Sequence, residues 1–419
     1  MRYCILTLGC KVNQAESTYI ENILRDKSYE KVRLEESPDI CIINTCSVTG
    51  KSDYQSRQLI RRALRASLQV YVTGCFIESG VCDIDSWQNQ GVQIVRNANK
   101  EEFFVNLPDA VKPLNTINEG RSRAIVKIQD GCNSCCSYCI IPLTRGASVS
   151  KSPEKILEEV KALEASGFHE VVLTGIHVGY YGEGTFNLHW LIRQILQNTK
   201  TIRLRLTSLE VNELNDEMIE LFKENRLCKH AHIPLQSGDN EILLRMNRKY
   251  TVENYKEAIL KIHKSIENIS IGADVITGFP GEKESHFINT YNFIKELPLT
   301  YLHVFPYAKR KNTPAAAFSM QVDEKVKKER SKKLTELSIK LKGQFIASQI
   351  GKTLHGVVES FNGEYYQATT DNYLKAMFKT DNMVTYMPRN AVNLYVLDYK
   401  GQVLITRAVK DSVASMPLS

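Results

Sequence analysis

Three short apolar runs constrain this chain most: RYCILTL (2–8), DICIIN (39–44) and QVYVTG (69–74). Each is followed at once, or within two residues, by a cysteine: Cys10, Cys46 and Cys75. Runs of this length and composition read as buried strands, and the stretches 14–27 and 52–68 between them carry a helical pattern. Strands alternating with helices make a parallel sheet, whose carboxyl ends all face one way, where ligands bind. Three thiols distant in sequence can therefore meet in space. Gly9 and Gly74 precede two of them and permit tight backbone there. A single strand-end cysteine is usually just a small buried residue. Three at equivalent positions point to a metal centre.

A second alternating series follows. Strands are expected at AIVKIQ (124–129), EVVLTG (170–175), IRLRLT (202–207), HAHIPL (230–235), ISIGADVIT (269–277) and YLHVFPY (301–307), with helices between them. Six such units fall short of a complete eight-unit barrel and predict an open, partial (β/α)6 barrel. Residues 107–122, with two prolines and several turn formers, read as a linker. A charged helix is expected over 323–349, with a basic run at 325–342 that reads equally as a solvated face. Short alternating runs come after it (LHGVVESF, YYQATTDN, YLKAMF, NMVTYM, VLITRAV) and predict a small β-barrel. The chain is thus an α/β protein in three parts: a parallel-sheet domain over 1–112, the partial barrel over 118–345 and an all-β barrel over 346–412.

The first strand of the second series leads into GCNSCCSYCIIP (131–142). Its four cysteines admit several readings: a cluster held by three thiolates with one iron open, a fully ligated cluster, zinc or a disulfide. Cys132, Cys136 and Cys139 fit C-x3-C-x2-C, and zinc sites usually come as paired C-x2–4-C units instead. Cys135 and Cys136 are adjacent and point apart, so Cys135 reads as a small side chain packed beside the site. An open iron can chelate the amino and carboxylate groups of S-adenosylmethionine (SAM). Cys4 and Cys41 lie within strands and read as core; Cys82 and Cys228 have no evident partner. Eleven cysteines, with no signal-like N-terminus and no long apolar run, favour metal chemistry in the cytoplasm over disulfides, and no membrane association. A net charge of +7 is compatible with a polyanionic partner.

The blocks LGCKVNQAES (8–17), INTCSVT (43–49), VTGC (72–75), GCNSCCSYCIIP (131–142), LTGIHVGYYGE (173–183), HIPLQSGDNEILLRMNRKYT (232–251), DVITGFPGE (274–282) and LHVFPYAKR (302–310) occur in the order of the radical-SAM methylthiotransferase family. The chain resembles that family over nearly its whole length, and KVNQAES and HVFPYAKR resemble its bacterial threonylcarbamoyladenosine tRNA branch. The resemblance implies two [4Fe-4S] clusters. Cys132, Cys136 and Cys139 would hold the one that binds and cleaves SAM; Cys10, Cys46 and Cys75 would hold an auxiliary one that carries sulfur. It implies that one SAM methylates that sulfur, and that a second yields a radical that removes the C2 hydrogen of N6-threonylcarbamoyladenosine-37 in tRNA, where CH₃S attaches. An aromatic C–H is beyond side-chain acid–base chemistry, so a cofactor must carry the step. No catalytic side chain is expected beyond the ligands. The C-terminal barrel would be a TRAM domain, and an electron donor such as flavodoxin or ferredoxin is implied.

The SAM pocket is expected at strand ends: Gly175, Ser208, Glu210 and the backbone of Tyr138, with Gly278-Phe279-Pro280-Gly281 at the adenine end. Glu210 reads equally as a helix-start residue. Arg145 and Lys151 read as anion ligands or surface, Lys151 rather as surface, and Tyr365, Tyr366 and Tyr373 as base-stacking or core residues. His177 stands where the family usually has Asn, so a side-chain hydrogen bond there is in doubt. Enzymes acting on isopentenyladenosine-37 or a ribosomal protein, and a non-catalytic iron–sulfur RNA-binding protein, are the rival readings.

Overall fold

Parallel strands need crossover connections, and the N-terminal third of the chain supplies helices for them. The computed structural model describes residues 1–108, 122–182, 186–380 and 385–409, so the expected linker lies almost wholly outside the described residues. Strands β1 (Arg2–Thr7), β2 (Glu30–Lys31), β3 (Ile40–Thr45), β4 (Gln69–Gly74) and β5 (Val92–Ile94) form one parallel sheet in the order β2-β1-β3-β4-β5. β2 and β5 are too short and polar to read as apolar runs, and they add to the three strands expected. Helices Lys11–Asp26 and Gly50–Ala66 bury Ile20 and Leu24, and Ile60 and Ala63. Thr49 caps the second, its side chain accepting from the Ser52 amide.

The second unit begins with β6 (Ala124–Lys127). A short antiparallel pair, β7 (Gln129–Asp130) and β8 (Val149–Ser150), closes the base of the cysteine loop. β9 (Glu170–Thr174), β10 (Arg203–Leu206), β11 (His230–His232), β12 (Ser270–Thr277) and β13 (Tyr301–Pro306) complete six parallel strands in sequential order. Isolated bridges Leu204↔Leu227 and Ser208↔His232 carry the sheet from β10 to β11. The arrangement is the expected open partial barrel. Its largest apolar core gathers Val126, Val171, Leu173, Leu204, Ile233 and Ile271 with the surrounding helices.

Helix Glu324–Ala347 runs along this barrel, and its basic run is not a simple solvated face. Lys327 and Arg330 are buried: Lys327 lies over the Tyr307 ring and Arg330 pairs with Glu282 at 2.6 Å. β14 (Thr353–Phe361), β15 (Tyr366–Thr370), β16 (Lys375–Lys379), β17 (Ala391–Lys400) and β18 (Val403–Val409) close into a small barrel. One strand is displaced from expectation. In NMVTYM, residues 385–387 are not strand and the others lie outside the described residues, while β17 forms at 391–400. Pro388 interrupts the first segment, whereas Val392, Leu394 and Val396 alternate inward in the second.

Two fully used arginines join the barrels. Arg205 is wholly buried, with Nε 2.7 Å from Glu170, while Nη1 and Nη2 donate to the carbonyls of Asp371 and Thr370. Arg203 shares Glu170 and donates to the His355 carbonyl at 3.0 Å. Burial raises the Glu170 carboxyl, but Arg205, Arg203 and Arg123 together hold it far below the usual range. Tyr373 takes a left-handed conformation, φ 67°, and projects into this junction beneath Lys11, Arg123 and Arg205. Tyr366 stacks on Phe378 in the small barrel's core. Of the three tyrosines Tyr366 is buried, while Tyr365 and Tyr373 are half-buried. Replacing Arg205 by alanine is expected to cost about 3–5 kcal/mol, the range for breaking a buried ion pair. Limited proteolysis should then release residues 353–409 earlier than in the wild type; equal digestion rates would refute the anchoring role.

Candidate functional site

The carboxyl ends of β1, β3 and β4 are aligned, with Thr7 beside Asn44 and Thr45 beside Gly74. Cys46 and Cys75 directly follow β3 and β4, and Cys10 precedes the helix after β1. Two glycines make the closeness possible. A Cβ at Gly9 (φ 95°) would lie 2.7 Å from Cys46 Cβ, and one at Gly74 (φ 97°) would lie 2.4 Å from the Thr45 carbonyl oxygen. Asn13 ties the loops together by donating to the carbonyls of Leu8 and Thr45 at 2.7 and 2.9 Å. Cys10 keeps an exposed face, yet desolvation by the surrounding residues raises its thiol, Arg145 opposes the rise, and neighbouring Cys75 adds to it. Cys46 is likewise raised by burial, with Cys75 and Cys10 contributing. The three thiols thus sense one another electrostatically.

The second trio forms on the loop held by β7 and β8. The Cys132 amide donates to the Gly146 carbonyl at 3.1 Å, and Gln129 grips the loop base through Gly131 and Ser148. A Cβ on Gly175 would sit 2.8 Å from Gln129 Oε1, so the glycine admits that side chain. Burial raises Cys139 to about 12, with Cys136 and Cys132 adding to the rise. Cys132 is instead lowered; burial is outweighed by His177 and Ser134. His177 Nδ1 lies 3.6 Å from Cys132 Sγ, its Nε2 meets Glu213, and its ring stacks on Tyr180 at 3.7 Å. The histidine therefore makes side-chain hydrogen bonds. Cys135 faces solvent and is not packed beside the trio. Cys4 and Cys41 are core residues, and Cys228 donates to Glu170.

Sequence reasoning missed the groups that embrace these thiols. Arg248 donates to Cys136 Sγ at 3.3 Å and pairs with Glu210, so Glu210 reaches the trio through an arginine while also starting a 3-10 turn. Ser208 is exposed at the strand end. Tyr138 packs edge-on against Phe279, 6.4 Å between centroids. Lys151 pairs with Glu159 at the surface.

Arg145 departs furthest from a solvated residue: its side chain is 1% exposed. It closes the short helix Ile141–Arg145, which begins two residues past Cys139, and crosses to the N-terminal sheet. There Nε lies 3.4 Å from Cys75 Sγ, Nη2 donates to Asn13 Oδ1, and Nη1 pairs with Glu16 at 2.8 Å and Asp130 at 3.0 Å. Lys100 and Lys127 complete the cage around Glu16. One helical turn thus bridges the two trios. His232, Asp274 and His303 converge within the barrel, their ligand-capable atoms within 4.8 Å. Among the described residues no helix is long and apolar enough to cross a membrane.

A partial barrel carrying three thiols on the loop after its first strand defines a radical SAM protein, and residues 126–294 match the Radical SAM superfamily. Residues 2–95 match the uncharacterized protein family UPF0004. The chain is 38% identical over 410 residues to threonylcarbamoyladenosine tRNA methylthiotransferase MtaB of Bacillus subtilis, covering 90% of each chain. It is 35% identical over 398 residues to the protein of the same name in Aquifex aeolicus, 89% of this chain and 96% of that one. To tRNA-2-methylthio-N(6)-dimethylallyladenosine synthase of Clostridium botulinum it is 30% identical, over 92% and 91%. The chain belongs to the methylthiotransferase family of radical SAM enzymes. The solved radical SAM methyltransferase TsrM from Kitasatospora setae shares the fold alone: 13% identity, TM-score 0.56, covering 75% and 77% of the two chains. Superfamily membership brings SAM and a [4Fe-4S] cluster, and the three-thiol donor set of the 131–142 loop, with its cationic Arg248, fits such a cluster.

Replacing Arg145 by glutamine should leave Glu16 and Asp130 undercompensated and cost about 3–5 kcal/mol. Burial raises the Glu16 carboxyl, but Lys100, Arg145 and Lys127 together depress it well below its ordinary value. Its stabilisation is therefore present above the unfolded value of about 4.3 and lost as pH falls toward the folded one. In the variant the folded value lies closer to the unfolded one, so the pH-dependent loss should be smaller and should end at higher pH. Denaturant unfolding of the metal-free chain across a pH series checks both; a change under about 1 kcal/mol would count against the clamp.

Proposed function

We propose that this chain converts N6-threonylcarbamoyladenosine-37 of tRNA to its 2-methylthio derivative. In this reading Cys132, Cys136 and Cys139 hold the SAM-binding cluster, and Cys10, Cys46 and Cys75 hold a second, auxiliary [4Fe-4S] cluster. The observation that carries it is the helix Ile141–Arg145, whose start follows Cys139 and whose last side chain touches Cys75, so that two three-thiol sites adjoin. The relatives named for this tRNA substrate, similar over about nine-tenths of the chain, support the choice of base.

The bound cofactors supply the one-electron chemistry that exchanges the C2 hydrogen for a methylthio group. The chain's own residues position and shield. Arg248 and Arg145 place positive charge beside thiolates. Glu210 orients Arg248, while Gly175, Ser208 and the segment around Tyr138 form the wall for SAM. The small C-terminal barrel takes the TRAM role, holding tRNA phosphates through lysines and arginines in a salt-sensitive way. The three units are assigned to 1–112, 118–345 and 346–412, consistent with hydrophobic cores that each lie within one of them. A low-potential carrier such as flavodoxin or ferredoxin supplies electrons, and the enzyme works in the cytoplasm.

Anaerobic reaction of the reconstituted protein with SAM, reductant and tRNA bearing threonylcarbamoyladenosine should give the 2-methylthio nucleoside by mass spectrometry. Cys75→Ala should lose about four irons per chain, one cubane's worth, and all methylthiolation. An unchanged nucleoside, or unchanged iron content, would overturn the assignment.

A further inference from the structure

Arg310 follows β13 and is buried, 5% exposed. Its Nη1 pairs with Asp53, whose other oxygen accepts from Ser47, the residue after Cys46. Its Nε and Nη2 have no hydrogen-bond partner among the described residues. A buried cationic donor without an acceptor is costly, and these are two such donors on one side chain. Nε and Nη2 form one edge of the guanidinium fork, the spacing that accepts both oxygens of a carboxylate.

Arg310 lines a cavity of about 240 Å³ together with Thr49, Tyr138, Cys139, Gln236 and Asp274. The cavity therefore spans the loop after Cys46 and the last cysteine of the second trio. Its one carboxylate, Asp274, is already turned to His232 and His303 at 2.9 and 3.3 Å. Exposed Lys309 and Lys311 flank Arg310 and add positive field.

We propose that the free edge of Arg310 receives the carboxylate at the end of the substrate's N6 substituent. The inference rests on the proposed substrate, whose threonylcarbamoyl group ends in a free carboxylate where a dimethylallyl group has none. A site built to pair a charged group discriminates against a ligand lacking it, because its own donors are then left unpaired. Arg310 thus selects among modified adenosines, and Asp53 holds it in place from the helix Gly50–Ala66 of the N-terminal unit.

The test uses the anaerobic two-cluster protein without SAM. Its affinity is measured for anticodon stem-loops carrying threonylcarbamoyladenosine, dimethylallyladenosine or plain adenosine at position 37. The wild type should prefer the first by at least about tenfold, the scale of a hydrogen bond between charged groups. Arg310→Gln should bring the three affinities to within about twofold, with plain-adenosine binding unchanged. Arg310→Lys, which keeps the charge without the fork, should retain only part of the preference. Asp53→Asn keeps the free edge and should retain most of it. Full preference in Arg310→Gln with an intact cluster spectrum would overturn the proposal. So would an equal loss for all three RNAs, which marks a phosphate contact, or, in a separate titration with SAM, weakened SAM binding with RNA preference untouched, which marks the SAM carboxylate. If the wild type methylthiolates no threonylcarbamoyladenosine, the functional reading itself fails; if it does so and Arg310→Gln still discriminates, only this inference fails.

Discussion

Arg145 is placed where two separately built units have to agree on a geometry. It grows from the cysteine loop of the partial barrel, yet its hydrogen bonds end on Asn13, Glu16 and Cys75 of the N-terminal sheet. A guanidinium can do this because its donors are fixed in a plane and keep their charge when buried. Removing it would leave Glu16 in a buried interface with its two lysines and Asn44. The desolvation that makes such a pair costly to form also makes it costly to lose half of it. The distance between the two thiol trios is therefore set by an ion cage rather than by a flexible connection.

The same device recurs with other partners. Arg248 bridges Glu210 and Cys136 within the barrel, and Arg310 reaches Asp53 beside the loop that follows Cys46. Arg145 and Arg248 each stand between a carboxylate and a cysteine thiol, while Arg310 pairs with a carboxylate on the helix that follows the Cys46 loop. Thiolate-rich centres accumulate negative charge, and hydrogen bonds with cationic donors outside the ligands tune their potential. The molecule uses one side-chain chemistry to align the segments and to balance their charge.

How much of this could be read from residues alone depended on range. The three strand-end cysteines and the C-x3-C-x2-C loop were legible because a strand's composition and its next residues lie in one short window. The six-strand series was legible for the same reason. The arginine partners were not. Arg145 and Cys75 are 70 positions apart and Arg248 and Cys136 are 112 apart, and nothing in an arginine's neighbours says whether it is solvated. Tyr373 shows the limit differently. The run YLKAMF suggests a strand tyrosine that stacks or packs, but a left-handed backbone at Tyr373 turns its ring under three cations instead. β17 was missed because its alternation is diluted by outward-facing Tyr395 and Leu397.

The docking of the C-terminal barrel has a consequence for how that part of the chain can drift. Arg203 and Arg205 grasp main-chain oxygens of His355, Thr370 and Asp371, not their side chains. Every amino acid offers that oxygen. These arginine contacts ask only that the backbone path be kept; the side-chain demands of the seam are confined to a few positions such as Glu359, which pairs with Arg123, and Tyr373, and the rest of the module's outer surface is free to change without unfastening it.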